Sequence, residues 1–299
     1  MSYRLRRKSS VQRSVRKVAC QQIDKAIAEI DDAQLDRHKV VHQVRKRCKK
    51  LRGLIRLVRP AFSDYSRENR DVRDAARELS YLRDSQSIID SLDALLAHFQ
   101  EQLEPDAFAS VRQELATRRE RIAQDRKGLE QKLERVLTRL RELRQRALHW
   151  RIDDRGFAAV SGGLEKTYAR GRKALGKAYR SPSPARFHEW RKRTKYHWYH
   201  LRLLRRIWPE MLEVEGAAGD RLSDLLGDDH DLAVLRGTLI KTPEQFGDAR
   251  QLQLLVALID RRRAELQAQA LPLGRRLYAE KPRRMTKRLR QYWSVWKKF

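Results

Sequence analysis

The chain has 299 residues, of which 68 are Lys or Arg and 39 are Asp or Glu, so its formal net charge is +29. Hydrophobic residues make up 40% of it, too many for a disordered chain and enough for a sizeable core. We exclude a transmembrane helix, because no apolar run approaches about 18 residues, and a secretory signal, because no apolar segment follows the basic N-terminus. Cys20 and Cys48 are too few for a disulfide framework and indicate small buried residues in a reducing cytoplasm.

The charge is concentrated in blocks. Residues 1–20 carry seven Lys or Arg and no acid, and residues 36–59 carry ten against a single Asp. Residues 186–206 and 271–299 carry eight and ten, each against one Glu, whereas residues 210–231 carry eight acids against one Arg. Four separate basic blocks predict one assembled basic surface, and a chain this basic is expected to bind polyanions.

Helical periodicity runs through almost the whole chain. Apolar residues spaced by three and four predict a helix over 41–58, ended by Pro60, and another over 72–99. The charge-rich segment 106–150 predicts one very long helix or a hairpin broken near Gly128. Because no convincing alternating strand is present, the fold class is predicted to be all-α. Further helices are predicted at about 157–179, 186–207, 218–240, 249–270 and 284–297, with Pro209, Pro243 and Pro272 among the breaks.

An internal repeat organises the chain. At an offset of 146 residues, His42 matches His188, Arg45 matches Arg191 and Lys49 matches Lys195. Downstream, residues 79–84 align with residues 226–231 at an offset of 147. We therefore expect one domain over 1–299 made of two pseudo-symmetric helical halves, 1–150 and 151–299, around a basic central pore or cleft.

A row of cations follows the first repeat helix beside its apolar stripe. It spans about 25 Å at about 1.5 Å per residue, and no acid lies between its ends. On a merely solvated helix, bases alternate with acids at i, i+4, so the row indicates an anionic ligand. The alternative is that these are ordinary exposed Arg and Lys side chains. The row consists of His42, Arg45, Lys49, Arg52, Arg56 and Arg59.

Two motif pairs and a basic C-terminal stretch carry a resemblance to a known family. They are His42-x-x-Arg45-x-x-x-Lys49-Lys50-x-Arg52 with His188-x-x-Arg191-Lys192-x-x-Lys195, Leu79-x-x-Leu82-Arg83-Asp84 with Leu226-Gly227-x-x-His230-Asp231-Leu232, and Leu277-Tyr278-x-x-Lys281-Pro282. Together they resemble the CHAD domain, the conserved histidine α-helical domain. The resemblance implies two helical bundles around a basic pore, binding of inorganic polyphosphate, association with polyphosphate granules in the cytoplasm, no cofactor and no enzymatic activity.

The chain departs from the family pattern at two positions and lacks a domain to which some members are fused. Tyr196 and Trp198 replace basic residues that are usual in the second repeat, so the first repeat is the firmer part of the candidate site. Some members carry a triphosphate-processing domain with a Glu-x-Glu-x-Lys motif; here Glu213-x-Glu215 is followed by Ala217, which predicts a stand-alone CHAD protein.

The candidate polyphosphate-binding residues come mainly from the two matched helices. Arg can give bidentate hydrogen bonds to phosphate and Lys a movable charge. Each of the two matched histidines either donates an N–H to phosphate or packs at its helix start, and Asp84 and Asp231 are expected to orient bases or cap helices. The main candidates are His42, Arg45, Lys46, Lys49, Lys50, Arg52, Arg56, His188, Arg191, Lys192, Lys195 and Arg202; flanking candidates are Arg13, Arg16, Lys17, Arg170, Arg172, Arg284 and Arg288.

Rival functions were weighed against polyphosphate binding. Non-specific binding of single-stranded RNA or DNA is the main alternative, since the charge and six tryptophans suit it; other polyanions and other granule proteins are further expected partners. A membrane surface is not expected, because a broad exposed apolar face is missing. No metal site is predicted: the pairs His38/His42 and His197/His200 lie among cations, and any metal is expected to arrive with the phosphate chain. Asp228, Asp229 and Asp231 suit Mg²⁺, yet acids are also typical of a helix start.

Overall fold

The computed structural model describes residues 3–104, 106–124 and 126–299, without the side chains of residues 81–84, 122, 123 and 126. Asp84, with Leu82 and Arg83 of the first-half motif, therefore lies outside the described side chains. Within these ranges the chain forms α-helices joined by short turns and 3-10 helices and contains no strand, which confirms the all-α prediction. The helices are α1 Val11–Asp31, α2 Arg37–Leu57, α3 Tyr65–Glu78, α4 Ser80–His98, α5 Ala109–Gln124, α6 Arg126–His149, α7 Ala158–Arg180, α8 Pro184–Leu204, α9 Pro209–Lys241, α10 Ala249–Leu277 and α11 Pro282–Lys298.

The two helices of the candidate site begin at side-chain caps. The Asp36 carboxylate accepts a hydrogen bond from the backbone N–H of Lys39 at the start of α2, at 3.1 Å. The Ser183 hydroxyl does the same for Arg186 at the start of α8, where Pro184 occupies the first helical position. Both caps satisfy N–H groups that have no partner inside the helix.

Several predicted boundaries need correction. The segment 72–99 is divided between α3 and α4, which meet at Leu79. α9 starts at Pro209 rather than near residue 218, because proline is well suited to the first turn. Pro272 lies inside α10 instead of ending it. The break predicted near Gly128 falls between α5 and α6.

The core residues fall into two clusters, and each cluster draws on both halves of the chain. The larger one joins α1, α2, α3 and α6 with α7, α8, the first part of α9 and α11. The smaller one joins α4 and α5 with the second part of α9 and most of α10. α5 and α6 thus contribute to different clusters, and the division into halves at residue 150 stays a prediction. Whether the two halves are true repeats stays a prediction.

α2 lies inside the larger cluster and contacts α1, α3, α7 and α8. Its predicted apolar stripe is fully buried, and each buried Leu or Ile side chain contributes roughly 1.5–3 kcal/mol. α7 approaches α2 so closely that a Cβ on Gly163 would lie 2.1 Å from the Leu57 carbonyl oxygen. The buried stripe holds α2 beside α8, which leaves the cation rows of both helices next to each other. The stripe consists of Val41, Val44, Cys48, Leu51, Ile55 and Val58.

Candidate functional site

A cavity of about 540 Å³ opens between α2, α4, α8 and α9 and is called the main cavity below. Six cations line it, three from α2 and three from α8. This basic wall consists of Arg45, Lys49, Arg52, Arg191, Lys192 and Lys195. α9 contributes an acidic wall of three carboxylates, Asp224, Asp228 and Asp231, together with His230. The main cavity is therefore strongly charged, with both signs present and cations in excess.

Neighbouring helices hold several of these cations in place. The Arg45 guanidinium donates from Nη1 to the backbone carbonyl of Ala76 at 2.8 Å. The Arg52 guanidinium donates from Nε to the Asn69 side-chain oxygen at 3.3 Å. The Lys195 ammonium lies 3.4 Å from the Asp220 carboxylate. These contacts orient the basic wall in the absence of ligand, which lowers the entropy lost when an anion binds.

Two histidines stack inside the main cavity. The rings of His188 and His230 have centroids 3.9 Å apart and are tilted by 36°. Burial, followed by the charges of His230, Lys192 and Arg191, lowers the pKa of His188 to about 4. Within the part of the chain that the structure describes, the buried Nδ1 of His188 has no hydrogen-bond partner. The lowered pKa keeps His188 neutral at pH 7, so it adds no charge to the basic wall.

The surroundings of the acidic wall disfavour the charged form of its carboxylates. Desolvation in the cavity, then the charges of Asp231 and Asp224, raises the pKa of Asp228 above its usual range. Desolvation is also the largest cause that raises the pKa of Asp224. Asp229, the remaining carboxylate of this segment, turns into the core, where it pairs with Arg263 at 3.1 Å. All of these acids lie in the middle of α9, so they are not the acids of a helix start.

A second, much smaller cavity, of about 10 Å³, lies along α2 towards its C-terminal end. Five cations line it, and of the described residues at its surface none is acidic. Tyr196 lies at the surface of both cavities, and the Arg56 guanidinium stacks on its ring at 4.1 Å. Burial, followed by the charge of Arg193, lowers the pKa of Arg170. The five cations are Arg56, Arg59, Lys166, Arg170 and Arg193.

A family model of the CHAD domain matches residues 17–240. This chain belongs to the CHAD domain family. Its fold is similar to the crystal structure of the CHAD domain from the plant Ricinus communis, with a TM-score of 0.59 and 18% sequence identity over 94% of this chain and 96% of that one. At this identity the likeness supports the fold of the CHAD protein, not a ligand. A search of curated protein sequences found no match.

The main cavity and the second cavity of the CHAD protein bring together nine of the predicted residues. A further cavity of about 320 Å³, lined by Asp228, Asp231 and Arg262 among others, contains none of the predicted polyphosphate-binding residues. The main cavity contains Arg45, Lys49, Arg52, His188, Arg191, Lys192 and Lys195, and the second contains Arg56 and Arg170. The other predicted residues line neither cavity. They are His42, Lys46, Lys50, Arg202, Arg13, Arg16, Lys17, Arg172, Arg284 and Arg288.

Lys50 is the predicted residue that the structure places most clearly away from the cavities. Its side chain is buried away from both cavities, and its backbone carbonyl accepts a hydrogen bond from the Tyr3 hydroxyl at 2.7 Å. Burial, followed by the charges of Arg47 and Arg202, lowers the pKa of Lys50 to about 8. Lys50 follows Lys49 directly in the motif, but one residue turns a side chain by about 100° around a helix.

Three other candidates are engaged in structural contacts. The Arg202 guanidinium lies 4.7 Å from the centre of the Trp198 ring. The Arg16 guanidinium donates from Nε to the backbone carbonyl of Trp150 at 2.7 Å. The Arg288 guanidinium forms ion pairs with Glu280 at 2.7 Å and with Glu215. Their cationic groups secure the fold instead of facing a cavity.

Sequence reasoning missed the acidic wall as part of the site. The signal was present, because Asp224, Asp228 and Asp231 follow each other at i, i+4 and i+7 and so share one helix face. Tyr196 and Arg193 also belong to the second repeat helix but were not predicted as site residues, and Tyr196 was considered only as a departure from the family pattern. His230 was noted only as a motif position, without its contact to His188.

His197 and His200, one of the two histidine pairs considered as metal ligands, lie in the core. The buried His200 ring donates from Nε2 to the Gly53 carbonyl at 3.1 Å. His197 is fully buried, with Nε2 3.8 Å from Glu215. Across the described residues, no three His, Cys, Asp or Glu side chains come together as a metal site on their own. None of the described helices is both long and apolar enough to cross a membrane.

Proposed function

We propose that this CHAD protein binds inorganic polyphosphate in the main cavity without transforming it. The observation that carries the proposal is the basic wall: two adjacent helices present six cations to one cavity of about 540 Å³. Like charges gathered in this way repel each other, and a bound polyanion relieves the repulsion. The resemblance to polyphosphate-binding CHAD domains points to the same ligand class.

The spacing of the basic wall suits a slim, flexible polyanion. Residues three or four apart on a helix rise by about 5 Å, so successive cations can each meet a phosphate group. Arg offers bidentate hydrogen bonds and Lys a mobile charge. The second cavity, at about 10 Å³, is too small to enclose a phosphate group. Its cations lie beyond Tyr196 along α2, where a chain that continued past the main cavity would meet them.

The proposed role is that of a binding protein. Its place in the cell would be at polyphosphate granules in the cytoplasm, where other granule proteins would be its neighbours. These assignments follow from the proposed ligand and depend on it.

Single-stranded nucleic acid is the second candidate ligand. Tyr196 supports it, because an aromatic ring beside Arg52 and Arg56 can stack a base while the cations hold the backbone. This ligand therefore enters the test as a competitor.

The test is a competition binding assay at one fixed salt concentration with long-chain polyphosphate, single-stranded RNA, duplex DNA and heparin. The variant Arg45→Glu/Lys49→Glu reverses two charges of the basic wall. Arg13→Glu/Lys17→Glu is the matched control, since it reverses an Arg and a Lys at the same i, i+4 spacing on α1, outside both cavities. Thermal melting by circular dichroism verifies that each variant is folded.

We expect polyphosphate to win the competition by about tenfold, or about 1.4 kcal/mol. The cavity variant should lose that margin, while the α1 variant keeps it. Equal binding of all four polyanions, or equal losses in the two variants, would overturn the proposal. Preference for single-stranded RNA, abolished by the cavity variant, would move the function to nucleic acid.

A further inference from the structure

The main cavity contains an acidic wall that a simple anion site does not need. Asp224, Asp228 and Asp231 repel the same polyanion that the basic wall attracts. Asp224 is 3.9 Å from Lys195, so part of its charge is balanced there. Asp228 and Asp231 form no ion pair with any described residue, even though six cations line the same cavity. The charges of Arg262 and Arg191 act on Asp228 without a direct ion pair, so a cation that enters the cavity can still approach the two carboxylates.

A second observation at this wall points to a ligand. Ser223 is 3% exposed and lines the main cavity one helical turn before Gly227. In the described structure its buried hydroxyl has no hydrogen-bond partner. A buried hydroxyl without a partner is costly, so a polar atom supplied from the cavity would stabilise it.

The chemistry of the acidic wall suits a divalent cation that brings its own ligands. The described side chains do not assemble a group of three metal-ligating residues, so we expect the ion to need ligands that come with the phosphate chain. Mg²⁺ commonly keeps several waters and is bound by one or two carboxylates together with phosphate oxygens of a substrate. Asp228 and Asp231 can supply the carboxylates, and a polyphosphate chain on the basic wall can supply the phosphate oxygens.

We propose that the main cavity binds polyphosphate as its divalent-cation complex, with a Mg²⁺-class ion bridging phosphate oxygens to Asp228 and Asp231. This inference rests on the proposed function and specifies its ligand. Cations of the basic wall take one side of the chain, and the metal ion takes the other. The metal turns the repulsion of the acidic wall into attraction, and metal and chain bind together.

The Lys195 contacts offer the simplest competing explanation, namely that the acidic wall only neutralises the basic wall. That explanation accounts for Asp220 and Asp224, which lie 3.4 and 3.9 Å from the Lys195 ammonium. It accounts only in part for Asp228, on which the Arg191 charge acts without a direct ion pair. The variant below removes Asp228 and Asp231 selectively.

The experiment measures polyphosphate affinity of the full chain by calorimetry, with millimolar MgCl₂ or with a chelator and NaCl at matched ionic strength. The variant Asp228→Asn/Asp231→Asn removes the two carboxylates. Asp153→Asn/Asp154→Asn is the matched control, because it removes two exposed carboxylates of a loop outside the cavities. A titration of MgCl₂ without polyphosphate completes the set.

We expect Mg²⁺ to raise wild-type affinity by about threefold to tenfold over matched NaCl. The Asp228→Asn/Asp231→Asn protein should bind metal-free polyphosphate more tightly than wild type and gain nothing from Mg²⁺, while the loop variant behaves as wild type. Mg²⁺ alone should show no saturable binding.

Two results would overturn the inference and leave polyphosphate binding intact. One is that Mg²⁺ changes the affinity of wild type and of both variants by the same factor. The other is saturable binding of Mg²⁺ in the absence of polyphosphate, which would mean a self-sufficient metal site. Failure of wild type to bind polyphosphate in either buffer would instead remove the proposed function and the inference with it.

Discussion

At the scale of single residues, neighbours decide which cations can reach a ligand. Arg45 and Lys49 face the main cavity, whereas Lys50, the next residue, is buried near Tyr3. The motif spacing predicted the helix face that lines the main cavity because a helix has a fixed period. It could not separate Lys49 from Lys50, since the arrangement of α8 and of the N-terminal segment beside α2 is a tertiary property.

His188 links the stability of the protein to pH. Its pKa is lowered to about 4, mainly by burial, from an ordinary value of 6.5. Between these two pKa values the unfolded chain binds a proton at His188 that the folded chain does not bind. The part of the free energy of unfolding that depends on neutral His188 is therefore complete above pH 6.5 and is lost as pH falls towards 4. We expect the free energy of unfolding of His188→Gln to fall less over this range than that of wild type, by on the order of 1 kcal/mol after solvent screening.

Urea unfolding at several pH values measures this difference. His98→Gln serves as the control, because His98 lies at the surface beside Glu265, at 2.9 Å, outside the main cavity. Parallel pH profiles for wild type and His188→Gln would mean that the stacked pair does not disfavour protonation.

At the scale of elements, α7 packs closely against α2, and the second cavity lies where the two helices meet. A Cβ on Gly163 would lie 2.1 and 2.4 Å from the carbonyl oxygens of Leu57 and Arg56, so the two helices must separate to admit it. We expect Gly163→Ala to destabilise the protein by about 1–3 kcal/mol. Gly176→Ala, on the same helix with open space around it, should be neutral or stabilising by up to about 1 kcal/mol.

Chemical denaturation of the two alanine variants tests this packing directly. A Gly163→Ala protein as stable as Gly176→Ala would contradict the close contact. Loss of stability in both variants would mean that α7 is destabilised by an added methyl group whether or not α2 lies close to it.

The helices themselves were predictable because their apolar residues repeat every three or four positions. The α2 stripe of Val44, Leu51 and Ile55 is buried as predicted. Breaks were less predictable: Leu79 carries no breaking signal, and Pro272 is accommodated inside α10. The residues opposite the cation rows were also beyond prediction, since nothing local to α9 indicates which helix its acidic face will meet.

At the scale of the whole molecule, a net charge of +29 attracts any polyanion, and the specific site must be distinguished from this general field. Salt dependence provides the distinction, because each cation that neutralises a phosphate contributes to the slope of log affinity against log salt. Arg45→Gln/Lys49→Gln should reduce the slope for polyphosphate by about 1.4 if both cations contact the chain, by analogy with about 0.7 per contact on single strands. Arg13→Gln/Lys17→Gln removes equal charge outside both cavities and should leave the slope unchanged. Equal reductions in the two variants would show that binding responds to net charge alone, which would contradict specific binding in the main cavity.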